Sequence, residues 1–196
     1  MADNEIKTIL VGRTGTGKTN MINAIVGAKF NSSEMSTSTA AFVDKTIKLK
    51  NKDYNLAIWD TAGQEKFRSL TKIFIKEAKI VIFVYSITNK ESFKEIDFWL
   101  ETVKNILGDK PVFGLAGNKK DLFQEEQVTE EEGEKKAKEI GAVFKLTSAK
   151  TKVGINEFVE QLVEEYAKKI GDIPDESKGE KLKSGHNKEK KKSKFC

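Results

Sequence analysis

Gly12-Arg13-Thr14-Gly15-Thr16-Gly17-Lys18-Thr19 sets two glycines four residues apart and follows them with a lysine and a hydroxyl. That spacing is a phosphate-binding pattern. The glycines let backbone N–H groups turn inward around phosphate oxygens, Lys18 can reach the outer phosphates, and the Thr19 hydroxyl can enter the shell of a Mg²⁺ ion. Ile6–Val11 before it reads as a buried strand, and Thr19–Val26 after it as a helix whose N-terminus lies beside the anion.

Two further stretches complete a chemistry. Asp60 follows an apolar strand and can hold Mg²⁺ through water, Gly63 can offer its N–H to a terminal phosphate, and Gln64 can orient an attacking water. Asn118-Lys119-Lys120-Asp121 can select a base. A carboxylate at Asp121 accepts from N1–H and the exocyclic amine of guanine, whereas adenine offers no matching pair of donors. Lys119 can lie along the base plane, Asn118 can tie loops together, and the backbone of Ser148-Ala149-Lys150 can meet the guanine oxygen. By itself Asn-Lys-x-Asp is a common turn; behind a phosphate loop and an Asp-x-x-Gly it specifies guanine.

The elements that must carry these residues alternate between strand and helix. Phe42–Lys50 and Tyr54–Asp60 flank Asn51-Lys52-Asp53, a hairpin signal. Ile80–Tyr85 is apolar on both faces, as a central parallel strand is. Thr88 with Glu91 reads as a capping box for a helix striped by Phe93, Ile96, Leu100, Val103 and Leu107. Val112–Ala116 is another strand, Thr129 with Glu132 opens a helix that stops near Gly141, and Val143–Leu146 is a short strand. A last helix carries Ile155, Phe158, Leu162 and Tyr166 to about Ile170. The expectation is an α/β, P-loop NTPase fold with a mostly parallel six-stranded sheet, helices on both faces, and ligands at the carboxyl ends of strands. The long polar stretch Ala28–Ala41 reads as a functional loop.

Composition bounds the rest. The net charge of +5 over 196 residues is uneven. From Gly171 onward eight lysines face five acidic residues, so residues 1–170 are nearly balanced and give no basic nucleic-acid surface. The expected organisation is a nucleotide-binding domain over residues 1–170 and a flexible lysine-rich tail over 171–196 that buries too little apolar surface to fold. There is no internal repeat, no apolar run long enough to span a bilayer, and no signal-peptide pattern at Met1–Glu5, so a cytosolic start is expected. The single cysteine, Cys196, excludes an intramolecular disulfide.

On these motifs the chain resembles the Ras-like small GTPases, over about residues 5–170, and is most similar to the Rab family. Trp59-Asp60-Thr61-Ala62-Gly63-Gln64-Glu65, Phe67-Arg68-Ser69-Leu70-Thr71 and Val84-Tyr85-Ser86-Ile87-Thr88 carry that similarity. The resemblance implies a slow GTP hydrolase that binds GTP or GDP with Mg²⁺ and acts as a switch in vesicle and membrane trafficking. It implies a nucleotide set of Gly12, Thr14, Gly15, Thr16, Gly17, Lys18, Thr19, Asn20, Phe30, Thr37, Asp60, Gly63, Asn118, Lys119, Asp121, Ser148, Ala149 and Lys150. Within it Phe30 is the aromatic that stacks on guanine, Thr19, Thr37 and Asp60 (through water) serve the metal, and Gln64 is catalytic. GTP would order switch I, about Asn31–Ala41, and switch II, about Gly63–Lys72. Implied partners are an exchange factor, an activating protein and effectors, for an expected monomer.

The chain also departs from the Rab pattern. Thr37-Ser38-Thr39-Ala40-Ala41-Phe42 lacks the usual glycine of switch I, and Phe74-Ile75-Lys76-Glu77-Ala78 replaces Y-Y-R-G-A. A nucleotide-binding interaction module that does not cycle is therefore a second reading. Phe42, Trp59 and Phe74 match the family's exposed aromatic triad, while three aromatics in one sheet can equally be core. Thr14 stands where Ras has glycine, which implies slow hydrolysis. Cys196 ends a lysine-rich tail as lipidated Rab tails do, yet Lys194-Phe195-Cys196 is neither a C-a-a-X box nor a paired-cysteine ending. Either it carries a prenyl chain, with the tail lysines as a second membrane signal, or the sequence simply stops there. The expected location is cytoplasmic, cycling to the cytosolic face of an intracellular membrane.

Overall fold

A computed structural model describes residues 5–28, 30, 41–60 and 73–174. Thr37, Gly63, Gln64 and Cys196, with most of switch I, switch II and the tail, lie outside the described residues. Among those described, β1 (Glu5–Val11), β2 (Ala41–Leu49), β3 (Lys52–Asp60), β4 (Ile80–Ser86), β5 (Val112–Asn118) and β6 (Ala142–Leu146) form one sheet in the order β2-β3-β1-β4-β5-β6. Only the β2–β3 pair is antiparallel. This is the expected P-loop NTPase architecture. Five parallel strands thus end along one edge, and the strand order reverses at β1, whose neighbours are β3 and β4. Ligands of such sheets bind in the crevice at that reversal.

Alternation along the buried strands builds two cores. On one face Leu10, Ile82 and Val84 pack with Met21 and Ile22 of α1 (Lys18–Ile25) and with Phe158 and Leu162 of α5 (Ile155–Lys169). On the other, Ile9, Val81 and Phe83 pack with α3 (Ile96–Leu107) and α4 (Glu130–Ile140). Each fully buried large side chain stabilises by roughly 1.5–3 kcal/mol, and Phe158→Ala would cost about 3–5 kcal/mol through the cavity it leaves. No described helix is long and apolar enough to cross a membrane.

Three local expectations shift. The Thr88–Glu91 capping box is replaced by Asn89, whose side chain accepts from Ser92 N–H at 2.9 Å and starts α2 (Lys90–Lys94). Thr88 instead shares a hydrogen bond with the Ser86 hydroxyl at 2.9 Å. The expected single helix divides at Glu95 into α2 and α3, and the inner stripe of α3 is Ile96, Trp99 and Val103, with Leu100 and Leu107 only partly buried. The hairpin turn is Lys50-Asn51, because the register opposes Leu49 to Lys52 and Lys48 to Asp53. That register keeps Val43, Ile47 and Leu49 against the core. The Thr129–Glu132 capping box forms as expected, and Gly141 ends α4.

Candidate nucleotide site

The β1–α1 loop wraps around its own lysine. Lys18 is 5% exposed, and its Nζ donates to the carbonyls of Gly12 at 2.8 Å and Arg13 at 3.0 Å. Burial pulls its ammonium from the usual 10.5 down to about 8, against the attraction of Asp60 and Glu95. The loop thus stores a cation that lacks a full counter-charge, which is what a phosphate would supply. Thr16 is buried and its hydroxyl donates to Arg13 O at 2.9 Å. Gly12, Gly15 and Gly17 have φ of 146°, 79° and 91°. A Cβ at Gly12 would stand 2.2 Å from the Val84 carbonyl, so a side chain there would push the loop off β4. Helix α1 starts at Lys18 with no side-chain cap from Gly17, leaving its first amides directed at the loop. Thr14 and Asn20 are half-buried at either end of this turn.

At the end of β3, Asp60 is 5% exposed and accepts from the Thr19 hydroxyl at 2.7 Å. A carboxylate and a hydroxyl are hard oxygen groups of the kind that hold Mg²⁺, directly or through its bound water. These two residues fit the ion that the sequence implies. Mg²⁺ bound there would neutralise phosphate charge.

The base end is built at the ends of β5 and β6. Asn118 is 1% exposed; its Nδ2 donates to Thr16 O at 2.9 Å, and its Oδ1 accepts from Ala149 N–H at 3.1 Å and the Thr147 hydroxyl at 3.5 Å. One side chain thereby joins phosphate loop, β5 and the loop after β6. Ser148 donates to Asp121 Oδ1 at 2.5 Å, which fixes the carboxylate plane. Lys119 is held with φ 68°, and the Lys120 N–H donates to Thr147 O at 3.0 Å. Lys150 and Phe30 are exposed.

Phe42, Trp59 and Phe74 form one row, with ring centroids 5.2 Å apart for the first pair and 5.7 Å for the second. Phe42 is 55% exposed, whereas Trp59 and Phe74 are half-buried, Trp59 packing against the core on one side with the Lys7 ammonium 5.4 Å from its ring, so the row runs from the surface into the edge of the core. Sequence reasoning missed the Arg13–Glu95 ion pair at 2.9 Å, which ties the phosphate loop to the α2–α3 junction, and it missed the role of Thr147. Neither carries a local signal.

A family model described as the Ras family matches residues 7–168. The chain belongs to the Ras family. As a Ras-family member it is a small GTPase, a GTP-hydrolysing switch of a class that binds GTP or GDP with Mg²⁺ and works through regulators and effectors. In this Ras-family chain the described residues supply two fixed ends of a nucleotide cleft. Lys18 is buried inside the β1–α1 loop, and Asp121 is held by Ser148 just beyond the end of β5.

Proposed function

We propose that this GTPase is of the Rab type and works as a slow switch in membrane trafficking. The observation that supports this reading is the aromatic row Phe42–Trp59–Phe74, with Phe42 exposed and the other two half-buried, next in sequence to both switch segments. In the proposed cycle Asp121 selects guanine, and Phe30 stacks on it. Thr37 joins Thr19 and Asp60 at Mg²⁺ in the triphosphate state, Gly63 senses the terminal phosphate, and Gln64 orients the water. Thr14 beside the phosphates supports a slow intrinsic rate. An exchange factor and an activating protein reset the switch, and effectors meet the aromatic row. Residues 1–170 form the switch domain, and the tail 171–196 holds it at the cytosolic face of an intracellular membrane through a lipid on Cys196 and the basic run Lys183, Lys188, Lys190, Lys191, Lys192 and Lys194.

Single-turnover hydrolysis of bound GTP, with Gln64→Leu as control, tests the cycle; fractionation of cells expressing the full chain or Cys196→Ser tests the location. A slow rate reduced by Gln64→Leu and a shift of Cys196→Ser to the cytosol are expected. Bound GTP that is never hydrolysed, even with an activating protein, would favour the non-cycling module. An unmodified Cys196 with unchanged distribution would remove the membrane role.

A further inference from the structure

Helix α1 ends in a Schellman arrangement, with Gly27 N–H donating to Ala24 O at 3.1 Å and Ala28 N–H to Asn23 O at 2.8 Å. The Gly27 carbonyl lies at the negative pole of the helix. Lys152, from the loop between β6 and α5, donates its Nζ to that carbonyl at 3.2 Å across 125 residues of sequence. Lys152 holds φ 65°, a left-handed conformation that residues with side chains seldom adopt. Its neighbour Val153 accepts from Ser148 N–H at 3.0 Å, and Ser148 in turn accepts from Thr151 N–H at 3.1 Å and donates to Asp121 at 2.5 Å. One short loop therefore sets the Asp121 carboxylate at one end and grips the far end of α1 at the other.

The two halves of the cleft are consequently clipped twice. Asn118 to Thr16 is a buried clip at the phosphate loop, and Lys152 to Gly27 is an exposed one where α1 hands the chain on toward Phe30. An exposed bond opens more readily than a buried one. We infer that Lys152 is a positioning residue that slows release of the bound guanine nucleotide, by holding the end of α1 against the loop that orients Asp121. Opening this staple releases the end of α1 from the loop after β6, while Asn118 still ties that loop to the phosphate loop. The inference rests on the reading of Asp121 as the guanine acceptor.

The test is displacement of a fluorescent GDP, and of a fluorescent non-hydrolysable GTP analogue, from the full chain with Mg²⁺ present. Lys152→Met keeps the length and loses the donor; Lys152→Arg keeps the donor. Release of both nucleotides is expected to quicken about three- to tenfold in the Met variant and to return to within about twofold of the unmodified rate in the Arg variant. Unchanged release in Lys152→Met overturns the inference. So does equal acceleration in both variants, which would trace the effect to packing of the loop. An unmodified protein that holds ATP as well as GDP would overturn the guanine reading itself, and the inference with it.

Discussion

Asn118 Nδ2 donates to the Thr16 carbonyl at 2.9 Å across 102 residues, and this buried bond joins the end of β5 to the β1–α1 loop. Asn118→Ala would leave the Thr16 carbonyl and the Ala149 N–H without this partner in a dry site. The expected cost is about 2–4 kcal/mol of folding stability, with faster nucleotide loss. Urea unfolding and nucleotide release measured on the same preparation check it, and a loss below about 0.5 kcal/mol would mean the loops hold each other by other contacts.

Gly17→Ala places a Cβ 2.5 Å from Asn118 Nδ2 at a φ of 91°. Asn118 is anchored on three sides and has no room to yield, so the phosphate loop must shift. A loss of about 1–3 kcal/mol in stability is expected, with the purified variant depleted of nucleotide. Thermal melting and chromatography of the released nucleotide would show both.

Burial disfavours the charge of Lys18 and pushes its pKa down to about 8. A bound phosphate favours the charged form and raises that value. Below about 8 the ammonium is already protonated and binding takes up little proton; above it, binding must take one up. Affinity for GDP without added Mg²⁺ should therefore be flat at lower pH and fall by up to about tenfold per unit as pH rises through that value. Calorimetry in two buffers of different ionisation heat, about one unit above and one below, reads the proton directly. Proton uptake that does not grow with pH would contradict the assignment.

Asp121 accepts from Ser148 at 2.5 Å, so its orientation is fixed before any base arrives. Asp121→Asn turns an acceptor into a donor that faces guanine donors. GDP affinity should drop about a hundredfold or more, and xanthosine diphosphate should bind better than GDP. Competition titration against a fluorescent nucleotide decides it, and an unchanged preference for guanine would move base selection elsewhere.

Much of this was legible in the sequence because its causes are local. The phosphate loop, the Thr129–Glu132 cap and the apolar β4 each depend on residues within a few positions of one another. The cap expected at Thr88 falls on Asn89 instead, because the side-chain bond to Ser86 draws Thr88 away. The hairpin turn moved because cross-strand register, not turn composition, fixes which residues face the core. The Arg13–Glu95 and Lys152–Gly27 bonds arise only from the fold, since nothing near any of the four residues marks its partner.

The outer strands carry a consequence for handling the protein at high concentration. A sheet with an open rim templates fibrous growth when that rim is long, flat and apolar. Here β6 spans five residues and carries Lys145, while β2 carries Asp44, Lys45 and Lys48 along its length. A second copy approaching strand to strand meets charged side chains that must be desolvated at β2, or too few backbone donors to hold it at β6. The domain therefore guards itself against amyloid-like stacking at both ends of the sheet, using residues that have no part in the nucleotide cleft.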